Sequence, residues 1–442
     1  MMKLVEQHII KKGNPLYDAF DSLTHLSKNV FNAGLYAVRQ NFFECQKNPS
    51  SDKQKYLNYN AVDKLFKETH NVDYYAMPID ASQQTLRILD KTFKAFFELL
   101  KKKNRGEYEQ KVRIPNYLPK DGHFVFQMNY VKLGKKCRTE GLCRIPNTDI
   151  TFRIINYATC KQVRIVPKNG YFVLENVYEV EEKPLKEKKN RYMSLDPGVN
   201  NFMTVASNVM EPFIIDGKWL KHVNQYYNKR TSELKSELED GVYTSKRIEK
   251  ITNDRNLRIK WFMHTASAYL VNQAVSADID TIVVGHNDGQ KQEINIGGVN
   301  NQNMVCIPFD KFIDMLTYKA RLQGIEVVRQ DESYSSKASF FGGDFVPTYK
   351  EGDDTVYTFS GKRVKRGMYE TKDGFKFNAD VNGALNILVK YLQNKKVTLI
   401  GLFDLEVMKG WVVTPRRVLG LKTCCVNTHN KLEKRKVFKM KI

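Results

Sequence analysis

The chain has 442 residues, with 71 lysines and arginines against 49 aspartates and glutamates, so its formal net charge is +22. At 42% hydrophobic and 27% charged residues, it has enough apolar side chains for folded cores and too many charges for a membrane-spanning or low-complexity protein. No run approaches the roughly 18 apolar residues of a membrane helix, and the first residues lack the layout of a signal peptide. We expect two or three intracellular domains and no membrane partner.

The positive charge and the cysteine pattern bear on partners. A large positive excess attracts polyanions, because neutralising phosphates releases condensed counterions. Nucleic acid is therefore the first partner to consider. The seven cysteines are scattered and never spaced C-x-x-C, which argues against both a disulfide framework and a zinc ribbon.

The first 180 residues predict a helical bundle inserted in a small β-rich domain. A strand-like stretch, Met2–Lys11, stops at Gly13, Asn14 and Pro15, and two runs of helical periodicity follow within residues 16–105. Short β-rich runs separated by turn residues fill 106–180. We predict an antiparallel barrel from 1–15 and 106–180, a helical recognition domain at 16–105, and a charged linker at 181–190.

An α/β order follows the linker. Strands are predicted at 192–195, 201–206, 281–285 and 325–329, and helices at 223–250, 257–277 and 309–320, with a last helix beginning near Asn378. This order predicts a mixed sheet with helices packed on it, over residues 191–413.

Two aspartates stand where such a fold can carry chemistry. Asp196 ends the first apolar strand before a Pro-Gly turn, and Asp380 lies in the first turn of the last helix. Carboxylates held by a rigid scaffold suit a divalent-metal site for phosphodiester cleavage, because Mg²⁺ prefers hard oxygen ligands. Taken alone, each aspartate is more often a turn residue or a charge at a helix start than a metal ligand.

Five strings in one order carry a family resemblance. They are Ser194-Leu195-Asp196-Pro197-Gly198-Val199-Asn200-Asn201, Ile282-Val283-Val284-Gly285, the turn from Lys319-Ala320 to Gly324-Ile325, Ser333-Tyr334-Ser335-Ser336-Lys337, and Asn378-Ala379-Asp380-Val381-Asn382-Gly383-Ala384-Leu385-Asn386-Ile387. Together they resemble the RuvC-like nuclease domain of the transposon-encoded TnpB family, RNA-guided endonucleases related to compact type V CRISPR effectors. The layout of the first 180 residues also resembles that family.

The resemblance implies a fold and an activity. The fold is a RuvC/RNase H-like mixed sheet with helices, preceded by an oligonucleotide-binding-type barrel with an inserted helical bundle. The activity is an RNA-guided DNA endonuclease that reads a short target-adjacent motif and cuts double-stranded DNA with Mg²⁺ or Mn²⁺. The partners are a guide RNA and the target DNA, and the location is the cytoplasm, at the prokaryotic nucleoid. Asp196 and Asp380 are carried over as the first and last catalytic acids.

The sequence departs from the family in two places. The family usually has a Glu at the end of the strand that here ends at Gly285, where no acid stands. Glu332, after the neighbouring strand, is the preferred replacement, with Glu293 and Asp288 as alternatives. The two cysteine pairs that the family often has between 339 and 378 are also absent, so no structural zinc is expected. Because this Glu is missing, an alternative function is an RNA-guided DNA-binding repressor that no longer cuts. A DNA transposase that joins strands is a less favoured alternative.

The remaining candidate residues concern nucleic-acid binding. Gln83 and Gln84 can present amides to base edges from a recognition helix, although a helix start explains them equally well. The other candidates are basic residues of that helix's end, of the stretch before the last helix, and of a basic tail predicted at 414–442. They are Lys101, Lys102, Lys103, Arg363, Arg366, Arg416 and Arg417.

Overall fold

The computed structural model describes residues 1–48, 56–286, 307–349, 355–419 and 421. The chain divides into two compact units, Met1–Glu181 and Glu182–Ile442. None of the helices within the described ranges is long and apolar enough to cross a membrane.

The first unit contains a four-stranded antiparallel sheet in the order β1-β6-β5-β2 and a separate two-stranded ladder, β3-β4. Exposure alternates along β1, as expected of a strand with one face on a core. β1 and β2 are the edge strands of this sheet, and its closure into a barrel stays a prediction. The strands are β1 (Met2–Lys11), β2 (Phe126–Asn129), β3 (Leu142–Arg144), β4 (Thr151–Arg153), β5 (Cys160–Lys168) and β6 (Tyr171–Val180).

Among the residues described between β1 and β2 there are four α-helices, and a fifth precedes β3. The two long ones coincide with the two runs of helical periodicity, whose apolar positions are buried, among them Phe20, Leu35, Leu89 and Phe93. The helices are α1 (Tyr17–Lys47), α2 (Tyr59–Glu68), α3 (Val72–Tyr75), α4 (Ile79–Asn104) and α5 (Lys135–Glu140).

A six-stranded sheet in the order β11-β10-β7-β8-β9-β15 organises the second unit. β10 is parallel to both β7 and β11, whereas β8 is antiparallel to β7 and β9. The predicted mixed sheet is confirmed. The strands are β7 (Tyr192–Pro197), β8 (Asn201–Ser207), β9 (Phe213–Asp216), β10 (Thr281–Gly285), β11 (Glu326–Gln330) and β15 (Arg416–Val418).

In the described part of this unit there are also five helices and a three-stranded antiparallel sheet, β12-β13-β14. The helices are α6 (Lys218–Ser236), α7 (Lys246–Ser276), α8 (Phe309–Arg321), α9 (Ala379–Asn394) and α10 (Leu405–Val412), and the strands are β12 (Lys362–Lys365), β13 (Met368–Glu370) and β14 (Lys376–Asn378). α9 is buried nearly all round and packs on β7, β8 and β10, as a central helix does.

Two features differ from the sequence-based expectation. The helix predicted over 223–250 is instead broken between α6 and α7, where Gly241 has a positive φ of 84° and Ser245 caps α7 by accepting the N–H of Ile248. The basic tail predicted from Thr414 starts as a strand, because Arg416–Val418 pairs in parallel with β9.

Candidate active site

The carboxyl ends of three strands meet at one edge of the six-stranded sheet. β7, β10 and β11 run parallel, with Val284 paired to Leu195 and Gly285 paired to Gln330. Asp196 is one residue beyond Leu195, and Glu332 follows two residues after Gln330. The topology therefore brings Asp196 of β7 and the segment carrying Glu332 to the same edge.

Asp380 reaches this edge from the start of α9. The side chain of Asn378 caps the helix by accepting the N–H groups of Asp380 (3.0 Å) and Val381 (3.1 Å). Both carboxylate oxygens of Asp380 have partners: Asn201 Nδ2 donates to Oδ2 (2.7 Å), and Arg363 Nη2 donates to Oδ1 (2.8 Å). Asp380 is thus held by groups from β8 and β12.

Two glycines let these elements approach closely. A Cβ placed on Gly383 of α9 would lie 3.0 Å from Asp196 Oδ2. A Cβ on Gly285 would lie 2.6 Å from Ile387 Cδ1, 2.9 Å from Glu332 Oε2 and 3.3 Å from the carbonyl oxygen of Leu195. The carboxylate of Glu332 therefore borders the space that a side chain at position 285 would enter.

The electrostatics of Asp196 reflect this crowding. Burial raises the pKa of its carboxyl well above the usual range, and the nearby negative charges of Glu332 and Asp380 raise it further. The guanidinium of Arg363 acts in the opposite direction and is outweighed. Three carboxylates that repel one another at one place form a site where a cation is favoured.

The chemistry of this donor set fits a hard divalent cation, which prefers carboxylate oxygens. Among the described residues, however, no group of three or more His, Cys, Asp or Glu side chains is already arranged as a metal site. Both carboxylate oxygens of Asp380 are instead hydrogen-bonded to Asn201 and Arg363. The acids share an edge without forming a finished coordination shell.

The predicted basic residues of the second unit lie in or next to two strands, β12 and β15. Arg363 and the exposed Arg366 belong to β12 and its turn, and Arg363 contacts Asp380 as described. Arg417 Nη1 donates to Asn201 Oδ1 (3.0 Å), and so orients the amide that reaches Asp380. Arg416 lies over the ring of Phe213 (5.4 Å).

The candidates of the first unit lie on α4. Gln84 Oε1 accepts from Gln127 Nε2 of β2 (3.2 Å), and Gln83 hydrogen-bonds with Asp63 and Tyr74. The amides of both glutamines thus have intramolecular partners. Lys101, Lys102 and Lys103 are exposed in the last turn. Glu293 and Asp288, the alternative third acids, lie outside the described residues.

Sequence reasoning missed several residues around the acids. Asn201 stood inside the string that contains Asp196, yet its bond to Asp380 joins residues far apart in the chain. Arg363 was assigned only to nucleic-acid binding. Lys390 and Asp331, which pair beside Glu332, had no motif that pointed to them.

Comparisons with known proteins agree with the resemblance. Residues 175–290 match the OrfB_IS605 family model, described as a probable transposase, and residues 309–387 match a model described as Cas12f1-like, TNB domain. A TnpB-like protein, ORF457, of Acidianus two-tailed virus is 26% identical over 259 residues, which are 54% of this chain and 48% of that protein. The match thus spans about half of the relative's length.

Two solved structures are also similar. A cryo-EM structure of the Cas12f1–sgRNA–target DNA complex has a TM-score of 0.33 and 13% identity, covering 87% of this chain and 98% of the other. A CRISPR-Cas12f ternary complex has a TM-score of 0.32 and 13% identity, covering 84% and 80%. The two family models and the viral relative are thus what this chain is similar to, and they agree with the resemblance to the TnpB family.

Proposed function

We propose that the chain is an RNA-guided DNA endonuclease that recognises a short target-adjacent motif and cleaves DNA by metal-dependent phosphodiester hydrolysis. The observation that carries this proposal is the meeting of Asp196, Glu332 and Asp380 at one sheet edge, with the mutual repulsion that raises the pKa of Asp196. Without a cation, the repulsion within such a cluster of acids destabilises the folded protein. This destabilisation is explained if the acids serve to bind a cation.

Glu332 is proposed as the third acid, in place of the Glu that the family usually has at the position of Gly285. The support is steric as well as electrostatic. The missing side chain at 285 leaves room that the Glu332 carboxylate borders, 2.9 Å from where a Cβ would stand. Glu332 also acts on the pKa of Asp196 directly.

Asp196, Glu332 and Asp380 would hold Mg²⁺ or Mn²⁺. When bound, the cation supplies Lewis-acid stabilisation of the phosphate and lowers the pKa of a water molecule. The chain's own groups do the positioning: the Asn378 cap fixes the start of α9, and Asn201 and Arg363 orient the carboxylate of Asp380. Arg363 donates to Oδ1 of Asp380, so it would have to release or share that oxygen for Oδ1 to serve as a metal ligand.

The proposed partners are a guide RNA and double-stranded DNA. The support is the net charge of +22, because guide and target bring many phosphates against the protein. We assign the predicted barrel (1–15 and 106–180) and helical domain (16–105) to holding the guide and reading the target-adjacent motif, and residues 191–413 to cutting. Gln83, Gln84, Lys101, Lys102, Lys103, Arg363, Arg366, Arg416 and Arg417 remain the proposed nucleic-acid contacts.

The test is guided cleavage by the full chain with the RNA that copurifies with it, which is sequenced to define the target. Asp196→Ala, Glu332→Ala and Asp380→Ala should stop cutting and keep target binding. Glu293→Ala, Asp288→Ala and the exposed control Asp373→Ala should cut like wild type. Affinity for the RNA should fall steeply with salt.

Each other result has a defined meaning. If Glu332→Ala cuts at the wild-type rate while Glu293→Ala or Asp288→Ala is inactive, the assignment of Glu332 as the third acid is wrong. A wild-type protein that binds its target in Mg²⁺ and Mn²⁺ but never cuts would be an RNA-guided DNA-binding repressor. Protein that purifies free of nucleic acid and shows no salt-sensitive RNA affinity would contradict both functions.

A further inference from the structure

One face of α9 reaches every strand end of the candidate site. Asp380, Gly383, Ile387 and Lys390 are spaced by three or four residues and therefore share a face of the helix. Gly383 lies against Asp196, and Ile387 lies against Gly285. Lys390, the last of the four, lies against the segment that contains Glu332.

Lys390 is a buried lysine whose hydrogen bonds all go to that segment. Its side chain is 1% exposed. Nζ donates to Asp331 Oδ1, to Ser333 Oγ (2.8 Å) and to Ser333 O (3.0 Å), which uses all three ammonium hydrogens. The acceptors belong to the residues immediately before and after Glu332, so one ammonium group fixes both sides of the acid.

The segment depends on such an anchor. It follows the end of β11 and has no strand pairing of its own, and Tyr334 has a positive φ of 62°, which is strained for an aromatic residue. A second tie comes from the same helix, because Asn386 Nδ2 donates to Ser335 O (2.8 Å). The segment that carries Glu332 therefore contains one strained residue, Tyr334, and side chains of α9 tie the backbone on both sides of that residue.

Stability alone does not explain a buried lysine. The side chain of Lys390 is 1% exposed, whereas that of its partner Asp331 is 37% exposed. Moving an ammonium group out of water costs several kcal/mol, and well-packed apolar replacements are often as stable. Strained backbone held by buried polar groups is typical of functional sites. The pair between Lys390 and Asp331 therefore calls for a role beyond the fold.

We propose that Lys390 is a positioning residue for Glu332. By clamping Asp331 and Ser333, it holds the third acid at the sheet edge, and it does so from the helix that carries Asp380. One rigid helix, α9, thereby sets the distance between Glu332 and Asp380. This inference rests on the proposed function for its catalytic consequence, while the clamping itself is independent of it.

The experiment compares three variants of the full chain with its RNA. Lys390→Met keeps the length of the side chain and removes the ammonium. Lys390→Met/Asp331→Leu removes both charges, so that no unpaired carboxylate remains and folding is preserved. Lys395→Met changes an exposed lysine at the end of the same helix and is the matched control.

Two readouts are used. Amide hydrogen exchange of residues 331–337 reports the clamp without any metal or substrate. The rate of target cleavage is then measured against Mg²⁺ concentration, together with the affinity for target DNA.

We expect faster exchange in 331–337 for both Lys390 variants, with protection of the rest of α9 retained. Cleavage should slow by about 10- to 100-fold, with more Mg²⁺ needed and target affinity unchanged, as for the loss of a group that orients a metal ligand. Lys395→Met should match wild type in both readouts.

Unchanged exchange in 331–337 overturns the proposal, as does wild-type cleavage by the double variant, which would mean that Lys390 only neutralises Asp331. If Lys390→Met does not fold, the double variant decides. If wild type never cuts, the proposed function fails, and the exchange data still support or overturn the clamp.

Discussion

Two carboxylates, one in each unit, are enclosed by protein but have opposite surroundings. Around Glu6 of β1, burial alone raises the pKa, but hydrogen bonds from His8, the N–H groups of Asn156 and Ile155, and the amide of Asn176 lower it to about 2. The distances from Glu6 to its donors are 2.5 to 3.2 Å. Glu6 thus joins β1 to residues 155, 156 and 176 as a fully satisfied anion.

Asp196 lacks that satisfaction. Burial raises its pKa, and the charges nearest to it, Glu332 and Asp380, raise the pKa further instead of opposing burial. The comparison teaches that the neighbours of a buried acid indicate its purpose. Donors make a carboxylate part of the fold, whereas further anions leave it in need of a cation.

The strongest test of this comparison replaces Asp196 by Asn. Losing one anionic ligand removes several kcal/mol of charge stabilisation, so DNA cleavage should slow by at least about 1,000-fold. The unfolding temperature in EDTA should rise, because the repulsion with Glu332 and Asp380 is gone. A variant that is less stable than wild type in EDTA would show that Asp196 is a structural acid after all.

Glu6→Gln should act in the opposite direction. The pKa of Glu6 lies at about 2 in the folded protein instead of 4.5, and this difference corresponds to about 3 kcal/mol of folding free energy at neutral pH. Because the folded pKa is the lower one, the stabilisation is present above pH 4.5 and is lost as pH falls towards 2. Denaturant unfolding across this range measures it.

The exposed acid Glu140, also in the first unit, provides the control. Glu140→Gln should leave both the stability and its dependence on pH unchanged. Equal acid sensitivity of wild type and Glu6→Gln would contradict the assignment of Glu6.

Gly285→Ala tests the space beside Glu332. Its Cβ would stand 2.6 Å from Ile387 and 2.9 Å from the Glu332 carboxylate, so we expect a loss of about 1–3 kcal/mol from overpacking and slower cleavage as the acid is displaced. Gly410→Ala in α10, whose Cβ would meet nothing within 4 Å, should cut normally and be slightly more stable. If Gly285→Ala cleaves DNA at the wild-type rate, Glu332 is not one of the catalytic acids.

The smallest expected effect is that of Arg363→Gln. Its ion pair with Asp380 is partly exposed, with 44% of the arginine side chain accessible, so stability should change by less than about 1 kcal/mol. Because Arg363 opposes the repulsion on Asp196, Asp196→Asn should stabilise the Arg363→Gln background more than it stabilises wild type. Additive effects in this double-mutant cycle, measured by denaturant unfolding, would show that Arg363 does not act on Asp196.

Elements with a regular apolar pattern could be predicted from the sequence alone. Met2–Lys11 and Thr281–Gly285 are strands with the predicted bounds, and α9 begins at Ala379, where the last helix is predicted to start near Asn378. Burial of a strand face or a helix stripe imposes a period on the local sequence, and that period can be read. The short basic strand β12 and the strand at Arg416 bury too little to leave such a pattern.

The residues of the candidate site also fall into those that the sequence could predict and those that it could not. The sequence by itself determined the two motif aspartates, the glycine where an acid was expected, and the positive charge, because these are residue identities within short strings. Only the tertiary structure decided what surrounds them. Asn201 meets Asp380 across 179 residues, and Lys390 meets Asp331 across 59. Such pairs follow from how β8, α9 and β11 pack together, and long-range packing imposes no period or spacing on the chain from which it could be read.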